Sequence, residues 1–452
     1  MTGLCLNVRR PLLLLVAGVR MSRSQPTARD RKPERDPLKI CLLTYRGNPT
    51  CGGQGIYVKR ISRALRDLGH SVSVVSGPPY PDLDEDIVLH RLPSLDLYNP
   101  EDLFRIPKLR ELRSPINTLE WIDVSTGGFP EPLTFSLRAY GFLRHRVGSY
   151  DVLHDNQCIS YGILGMQHLG FPTVATIHHP VTIDRDTELQ AAGRWWKRLK
   201  VRRWYSFLGM QARVARRLSC IITVSESSKH DISKAFRIPA ERFRVIPNGV
   251  STEVFHPLPH VQRDRDRIMV TTSADTPVKG LRYLLQATAS VARKRRIRLT
   301  VIGTPKKDGE VSRLVKDLRL HSSTEFTGRI EDKEFAQYYA RSAIAVVPSL
   351  YEGFGFPAAE AMACGVPVIS TTGGALPEVV GDAGILVPPG NAQALEEAIL
   401  GLLDNPDRCG ELSRAGYQRV QKHFTWQAAA HSLLGVYRET LHDNGRFRAT
   451  QS

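Results

Sequence analysis

Short apolar runs rich in β-branched residues recur along this chain, separated by segments long enough for a helix, and the whole series occurs twice. In the first half the runs are Lys39–Tyr45, Ser71–Ser76, Ile87–Leu92, Asp151–Asp155, Thr173–Ile177, Cys220–Val224 and Phe243–Ile246. In the second they are Ile268–Thr272, Leu299–Ile302, Thr324–Thr327, Ile344–Val347, Val366–Ser370 and Ile385–Val387, with helices expected at Gly280–Arg293, Val311–Leu318, Lys333–Arg341, Pro357–Cys364, Gln393–Leu403 and Glu411–His423. Several of these strands are apolar almost throughout, so both their faces must be covered, as in parallel sheets joined by crossover helices. At 452 residues the chain exceeds one core. The expected class is therefore α/β, two facing Rossmann-like doubly wound sheets with a cleft between them. The expected division is a basic disordered leader 1–37, a first domain 38–259, a linker 260–267, a second domain 268–424 and a C-terminal helix 425–442 packing back on the first. In open sheets of this kind ligands sit beyond the carboxyl ends of the strands, so the loops there carry the chemistry.

The net charge of +17 is concentrated. Residues 1–40 hold nine Lys/Arg against three Asp/Glu, and Gln190–Ser225 holds nine with no carboxylate, which together account for fifteen of the seventeen. A nucleic-acid protein with a basic surface throughout is not expected. The seven cysteines are scattered and never form C-x-x-C, which reads as reduced thiols in a cytoplasmic protein. The longest apolar run, Pro11–Val19, is too short to span a bilayer. It follows Arg9 and Arg10 like a signal-peptide core but precedes no clean small-x-small site, and Met21 offers an alternative start.

After the first strand comes Arg46-Gly-Asn-Pro-Thr-Cys-Gly52-Gly53-Gln54-Gly55 and then a helix to about Leu68. Glycines let a substrate approach the backbone, and a helix N-terminus offers N–H groups to an anion. A plain glycine turn would look the same. A dinucleotide site would need G-x-G-x-x-G and an acid after the second strand, which instead ends Val75-Ser76-Gly77, so an NAD enzyme is disfavoured. The strings Asp82-Leu-Asp84 and Asp264-Arg-Asp266 precede apolar strands, whereas a metal-binding D-x-D follows one. Both are read as chance.

The strongest constellation follows Ile344–Val347: Pro348-Ser-Leu-Tyr-Glu352-Gly-Phe-Gly-Phe-Pro-Ala-Ala-Glu360. Pro357 suits the first position of a helix. Glu352 then stands on the loop and Glu360 near the helix start, with Gly353, Phe354 and Gly355 between them exposing amides. Two carboxylates flanking free amides suit vicinal hydroxyls, as sugars present. Dipole compensation accounts for Glu360 alone, not for the glycines or Glu352.

With these residues the chain resembles glycosyltransferase family 4, whose E-x7-E motif is matched by Glu352 and Glu360. Thr176-Ile-His178-His179, Val224-Ser-Glu226-Ser, Val245-Ile-Pro-Asn248-Gly249-Val, Val278-Lys279-Gly280, Gly373-Gly374 and Pro377-Glu378 extend the resemblance from about Lys39 to His431. It implies the GT-B fold and a retaining hexosyltransferase that takes a nucleotide diphosphate sugar to a glycan or lipid acceptor. It further implies that Glu352 meets the donor sugar's hydroxyls, Glu360 the ribose and Lys279 the diphosphate, with His178 beside the sugar and His179 as its rival. Gly52 and Gly53 join the donor site, and no cofactor is implied beyond the sugar nucleotide.

Lys279 makes sense without the family, since an ammonium at a helix start would stabilise charge developing on a leaving diphosphate. With that lysine and the helix N-termini present, no metal ion is required. The family usually carries an arginine five residues earlier, where this chain has Ala274. That departure leaves room for a sugar-nucleotide sensor without turnover; a sugar-nucleotide epimerase is the other alternative. The insert Pro93–Phe135 is expected to shape the acceptor site.

The stretch Arg194-Trp195-Trp196-Lys197-Arg198-Leu199-Lys200 begins a basic, aromatic helix. On helical spacing Trp196, Leu199, Arg203 and Phe207 form one stripe with cations at its sides. Such a face suits an anionic membrane surface, and a buried helix with a solvated basic side fits equally. The expected location is cytoplasmic, at the inner face of the membrane where that helix docks.

Overall fold

Two parallel sheets, each covered by helices on both faces, organise the protein in a computed structural model that describes residues 36–49, 53–99, 102, 105–272 and 274–449. The expected leader through residue 35 and Gly52 lie outside the described residues.

The first sheet takes β1 (Lys39–Thr44), β2 (Ser71–Ser76), β3 (Val88–Arg91), β4 (Val152–Asn156), β5 (Thr173–Ile177), β6 (Ile221–Thr223) and β7 (Phe243–Val245). Between and around them run α1 (Gly53–Asp67), α2 (Pro115–Ser125), α3 (Glu131–Leu143), α4 (Tyr161–His168), α5 (Val181–Ala191), α6 (Trp195–Trp204), α7 (Phe207–Ala215) and α8 (Glu226–Phe236). Strand order is β3-β2-β1-β4-β5-β6-β7, all parallel, so the winding reverses between β1 and β4, where Ile40 pairs with Val72 on one side and Val152 on the other.

The second sheet takes β8 (Asp264–Thr271), β9 (Arg298–Ile302), β10 (Thr324–Phe326), β11 (Ser342–Val347), β12 (Val368–Thr371) and β13 (Ile385–Val387). Its helices are α9 (Leu281–Ala292), α10 (Glu310–Asp317), α11 (Asp332–Arg341), α12 (Phe356–Ala363), α13 (Leu376–Val380), α14 (Ala392–Leu403) and α15 (Pro406–His423). The order β10-β9-β8-β11-β12-β13 reverses between β8 and β11. The loops carrying Lys279 and Glu352 follow those two strands and so lie together at the switch point, where open sheets bind ligands.

Apolar strands buried on both faces hold each sheet. Leu43, Leu153, Ala175 and Ile221 face one layer of the first sheet, and Ile40, Leu42, Val152 and Val174 the other. That second layer is completed by α16 (Trp426–Ala449), whose Trp426, Leu433 and Tyr437 pack among Tyr57, Val58 and Ile61 of α1. Inside it His154 holds the Tyr437 hydroxyl through Nδ1 at 2.6 Å and Thr176 Oγ1 through Nε2 at 2.6 Å, and burial pushes the imidazole pKa down to about 3.

Two expectations are corrected. The segment expected as a linker, 260–267, is strand from Asp264 onward, because Asp264 already pairs with Ser342 of β11 and the register shifts before Ile344. Asp264-Arg-Asp266 consequently lies within that strand, where Arg298 and Arg267 engage Asp264 and Arg295 engages Asp266. Asp82 is likewise paired with Lys59, and Asp84 with Arg63 and Arg66.

Candidate active site

Gly280 explains why the Lys279 loop and the Glu352 loop meet. Its φ is +68°, and a Cβ there would lie 2.0 Å from the Pro348 carbonyl oxygen, so only glycine lets the two backbones touch. The Leu350 amide then donates to the Val278 carbonyl at 2.7 Å, and Lys279 Nζ lies 2.8 Å from Glu352 Oε1. Ser349 Oγ donates to the same carboxylate oxygen at 2.7 Å. Glu352 is thus held by one cation and one hydroxyl before anything else approaches it.

His178 directly follows β5 and faces this loop from the first sheet. A Cβ on Gly353 would lie 3.3 Å from the His178 carbonyl oxygen and 3.4 Å from His179 Nδ1, so both histidines border the Glu352–Gly353 turn. The His178 ring sits edge-on to Tyr57, centroids 4.4 Å apart, and its Nε2 is 2.6 Å from Asn156 Oδ1. An amide oxygen only accepts, so Nε2 carries the proton and Nδ1 keeps its lone pair. Burial pushes the His178 pKa down to about 4, which keeps the ring neutral near pH 7. His179 instead contacts Asp184 at 3.0 Å and lies near the Tyr351 ring.

A cavity of about 1280 Å³ opens between the sheets, with Ile56, Lys59 and Arg60 of α1 on one wall and the ends of β8, β9 and β10 on the other. Lys279 belongs to its lining and also holds Glu352, so the two places are continuous. Lys306 and Arg329 add further positive charge, and Thr272 Oγ1 and Asp275 Oδ1 are buried polar atoms in the same lining. Ala274 lines the cavity too, 5% exposed. Such a volume exceeds the roughly 300–1,000 Å³ of ordinary small-molecule sites.

Residues 51–254 match the family model described as Glycosyltransferase Family 4, and residues 265–405 match that described as Glycosyl transferases group 1. The chain is 43% identical over 408 residues to the MMP alpha-(1->4)-mannosyltransferase of Mycolicibacterium hassiacum, covering 89% of this chain and 98% of that one. It belongs to glycosyltransferase family 4. The transferase also superposes on sucrose-phosphate synthase from Thermosynechococcus elongatus with a TM-score of 0.66 and 26% identity, covering 90% of this chain and 100% of the other. Anabaena HepE in complex with UDP matches with a TM-score of 0.63 at 18% identity, over 89% and 100% of the two chains. The two-sheet architecture is the GT-B fold.

Within the transferase the remaining candidates fall into distinct positions. Phe354 points its ring into the core, 5% exposed, against Phe356 at 5.0 Å and Phe424 at 5.8 Å, so only its backbone faces the loop. Gly355 takes φ +107° at the start of α12. Glu360, on α12, adjoins the Tyr339 hydroxyl, which also contacts Thr271 Oγ1 at 3.3 Å and the Pro357 carbonyl at 3.4 Å; Thr271 and Pro357 line the cavity. Gly53 begins α1 with open space where a Cβ would stand.

The basic helix is shorter than the expected stripe. It stops at Trp204 and a new helix starts at Phe207, so Phe207 does not continue the line of Trp196 and Leu199. No residue of α6 is buried, which removes the reading of α6 as a buried helix. Trp195 is 77% and Leu199 59% exposed, and the Lys197 and Lys200 ammonium groups lie 5.6 and 5.2 Å from the Trp196 ring. Arg203 ties the helix to Asp123 of α2, next to exposed Trp121 and Ile122. No helix among the described residues is long and apolar enough to cross a membrane.

Sequence reasoning missed Lys59, Arg60, Lys306 and Arg329. They sit outside any motif and join the cavity only because α1 faces the loops after β9 and β10 there. It also missed the roles of Ser225, Ser228 and Glu378, although the segments holding Ser225 and Glu378 were part of the family resemblance.

Proposed function

We propose that this transferase moves a mannosyl or related hexosyl unit from a nucleotide diphosphate sugar to a hydroxyl of a growing saccharide or lipid-linked precursor, with retention and without a metal ion. The observation that carries this reading is the Lys279–Glu352 pair at the edge of a cavity shared by both sheets, lined by five cations and three carboxylates. A diphosphate seated against Lys279 would draw that ammonium from the carboxylate, leaving Glu352 to accept from the sugar's hydroxyls. The C1–O bond to the diphosphate breaks as the acceptor oxygen bonds to C1 on the same face, and the acceptor's proton passes to the departing phosphate oxygen. Lys279 offsets the charge gained there, a task worth about 3–4 kcal/mol for comparable groups. Neutral His178, with its Nδ1 lone pair, is suited to accept from a sugar hydroxyl. Lys59, Arg60 and Lys306 supply further positive charge in a cavity where Ala274 supplies none.

The Mycolicibacterium relative's name specifies an α-linked mannoside. Nucleotide diphosphomannose is α at its anomeric carbon, so an α product from this chain would require retention. Incubation with UDP- and GDP-sugars, with and without mannose oligosaccharides or lipid extract, tests the reading. Acceptor-dependent nucleotide release that survives EDTA, with an α-linked product by NMR, supports it. Tight binding without release would favour a sensor, and an altered sugar nucleotide without transfer an epimerase.

The finer reading of location rests on α6. Its exposed Trp195 and the cations Lys197, Arg198 and Lys200 favour attachment to an anionic membrane surface, strengthened by low salt.

A further inference from the structure

We propose that Glu378 is a clasp that sets the closed geometry of the active-site cleft and is thereby a positioning residue for transfer; this rests on the function proposed above. Helix α8 starts the last helical crossover of the first sheet, and its N-terminal amides face across the cleft. The Glu378 carboxylate, from the second sheet's α13, accepts from both: Oε2 from the Glu226 amide at 2.7 Å and Oε1 from the Ser227 amide at 2.8 Å. A carboxylate on two first-turn amides also meets the positive end of the helix dipole, so these are charge-assisted bonds.

Two more bonds join the same helix start to the sugar-binding turn. Ser225 Oγ and Ser228 Oγ donate to the Gly353 carbonyl at 2.8 and 3.1 Å, and the Tyr351 hydroxyl donates to Asp231 of α8 at 2.7 Å. The residues on either side of Glu352 are therefore both fastened to α8. Glu378 is tied to the same turn on its own side, since the Ala375 amide at the head of α13 donates to the Glu352 carbonyl at 2.9 Å. Arg419 then fixes the far end of α13 by donating to the Glu378 and Val379 carbonyls, each at 2.8 Å.

The consequence is mechanical. Glu378 is carried on a pinned helix and grips α8, and α8 holds the Glu352 turn where Gly353 passes the His178 carbonyl. A donor held by the second sheet meets groups of the first only when this seam is formed. The hydrogen bonds crossing it lie beside apolar contacts of Val224 and Val250 with the second domain's core, and domains within a chain move along part-polar interfaces of this kind. Losing the clasp should spare nucleotide binding and lower the fraction of bound enzyme that is aligned for transfer.

The test compares wild type, Glu378→Ala and Glu226→Pro. The second removes one amide donor at the first helical position, where proline is tolerated, and Ser225 before it is already extended at φ −159° and ψ 158°. For each full-length protein, kcat and donor KM, the Kd for UDP and for GDP, and the radius of gyration from X-ray scattering with saturating nucleotide are measured. The expected result is a kcat lowered about 30-fold or more in Glu378→Ala and about tenfold in Glu226→Pro, with nucleotide Kd within about threefold and a larger radius of gyration. Wild-type kcat and radius in either folded variant overturns the clasp. So does a loss of nucleotide affinity matching the loss of kcat at unchanged radius, which would put Glu378 in the nucleotide site. If Glu378→Ala does not fold, Glu226→Pro decides. If wild type transfers no sugar from any donor, the proposed function fails, while the scattering comparison still judges the clasp.

Discussion

Lys279→Ala is the perturbation that bears most directly on the site. Lys279 Nζ is 2.8 Å from Glu352 Oε1, and Glu352 is the more buried partner, its side chain 11% exposed against 30% for the lysine. Two effects should follow. The diphosphate loses a fixed cation, which for comparable transition-state donors costs about 100- to 1,000-fold in rate. Glu352 keeps Ser349 Oγ but loses its ion pair, and because the lysine is partly exposed that loss costs only about 1 kcal/mol of stability. The variant should therefore fold, melt a few degrees lower and transfer sugar two to three orders of magnitude more slowly. A double-mutant cycle with Glu352→Gln separates the effects, because residues serving one transition state give a combined loss well short of the product of the two singles. The assay is acceptor-dependent nucleotide release under kcat/KM conditions, with circular dichroism to confirm folding. A folded Lys279→Ala enzyme within about threefold of wild type would refute the site.

Further outcomes follow from other contacts. Gly280→Ala should lower the melting temperature and activity together, because a methyl 2.0 Å from the Pro348 oxygen at positive φ must push the Lys279 and Glu352 loops apart; calorimetry beside the transfer assay reads both. Tyr437→Phe leaves buried His154 Nδ1 without its hydroxyl and should cost about 1–3 kcal/mol in urea unfolding. Asp155 is pushed up to about 7 by burial, so the native state holds a proton the unfolded chain has released; its penalty is fully present above pH 7 and fades as pH falls toward 4. Asp155→Asn should accordingly gain stability over wild type at pH 8, on the order of 4 kcal/mol, and lose that advantage progressively as pH falls toward 4. Charge reversal of Arg194, Lys197, Arg198 and Lys200 should abolish co-sedimentation with anionic vesicles, and added salt should weaken it in wild type; binding indifferent to both would exclude α6 as the docking face.

Much of the fold was legible because parallel strands buried on both faces leave nearly continuous apolar runs, and β2, β5 and β13 begin and end where those runs do. The error at Asp264 has a physical origin. The outer end of β8 is charged, and Asp264 and Arg267 are paired there with Arg298 and Glu325, contacts that no local pattern reveals. Glu352 and Lys279 were legible as a spacing, and the 2.8 Å contact between them was not, because it depends on Gly280 meeting a carbonyl 68 residues away. Phe354 was legible as a member of the motif, and the direction of its ring was not: the ring is buried among Phe356 and Phe424 while its backbone faces the loop.

The same logic accounts for the division of labour between the sheets. The second sheet supplies Lys279 and Glu352 from neighbouring loops, fixed by a backbone contact that a single methyl would break, so their mutual geometry is rigid. The first sheet supplies His178, whose proton is set by Asn156 and whose ring is wedged by Tyr57, itself backed by Trp426 of the returning helix at 5.7 Å between centroids. Each half is preorganised internally, and the freedom left to the molecule lies between them. A neutral histidine also makes the joined site tolerant of pH. With His178 lowered to about 4, transfer should show no acid limb from this ring between pH 5.5 and 8. Asn156→Asp should introduce one, because a carboxylate at 2.6 Å would stabilise the imidazolium, protonate Nδ1 and remove the acceptor below the raised pKa, with activity recovering as pH rises. A flat profile in that variant, equal to wild type, would mean that the His178 lone pair is not used.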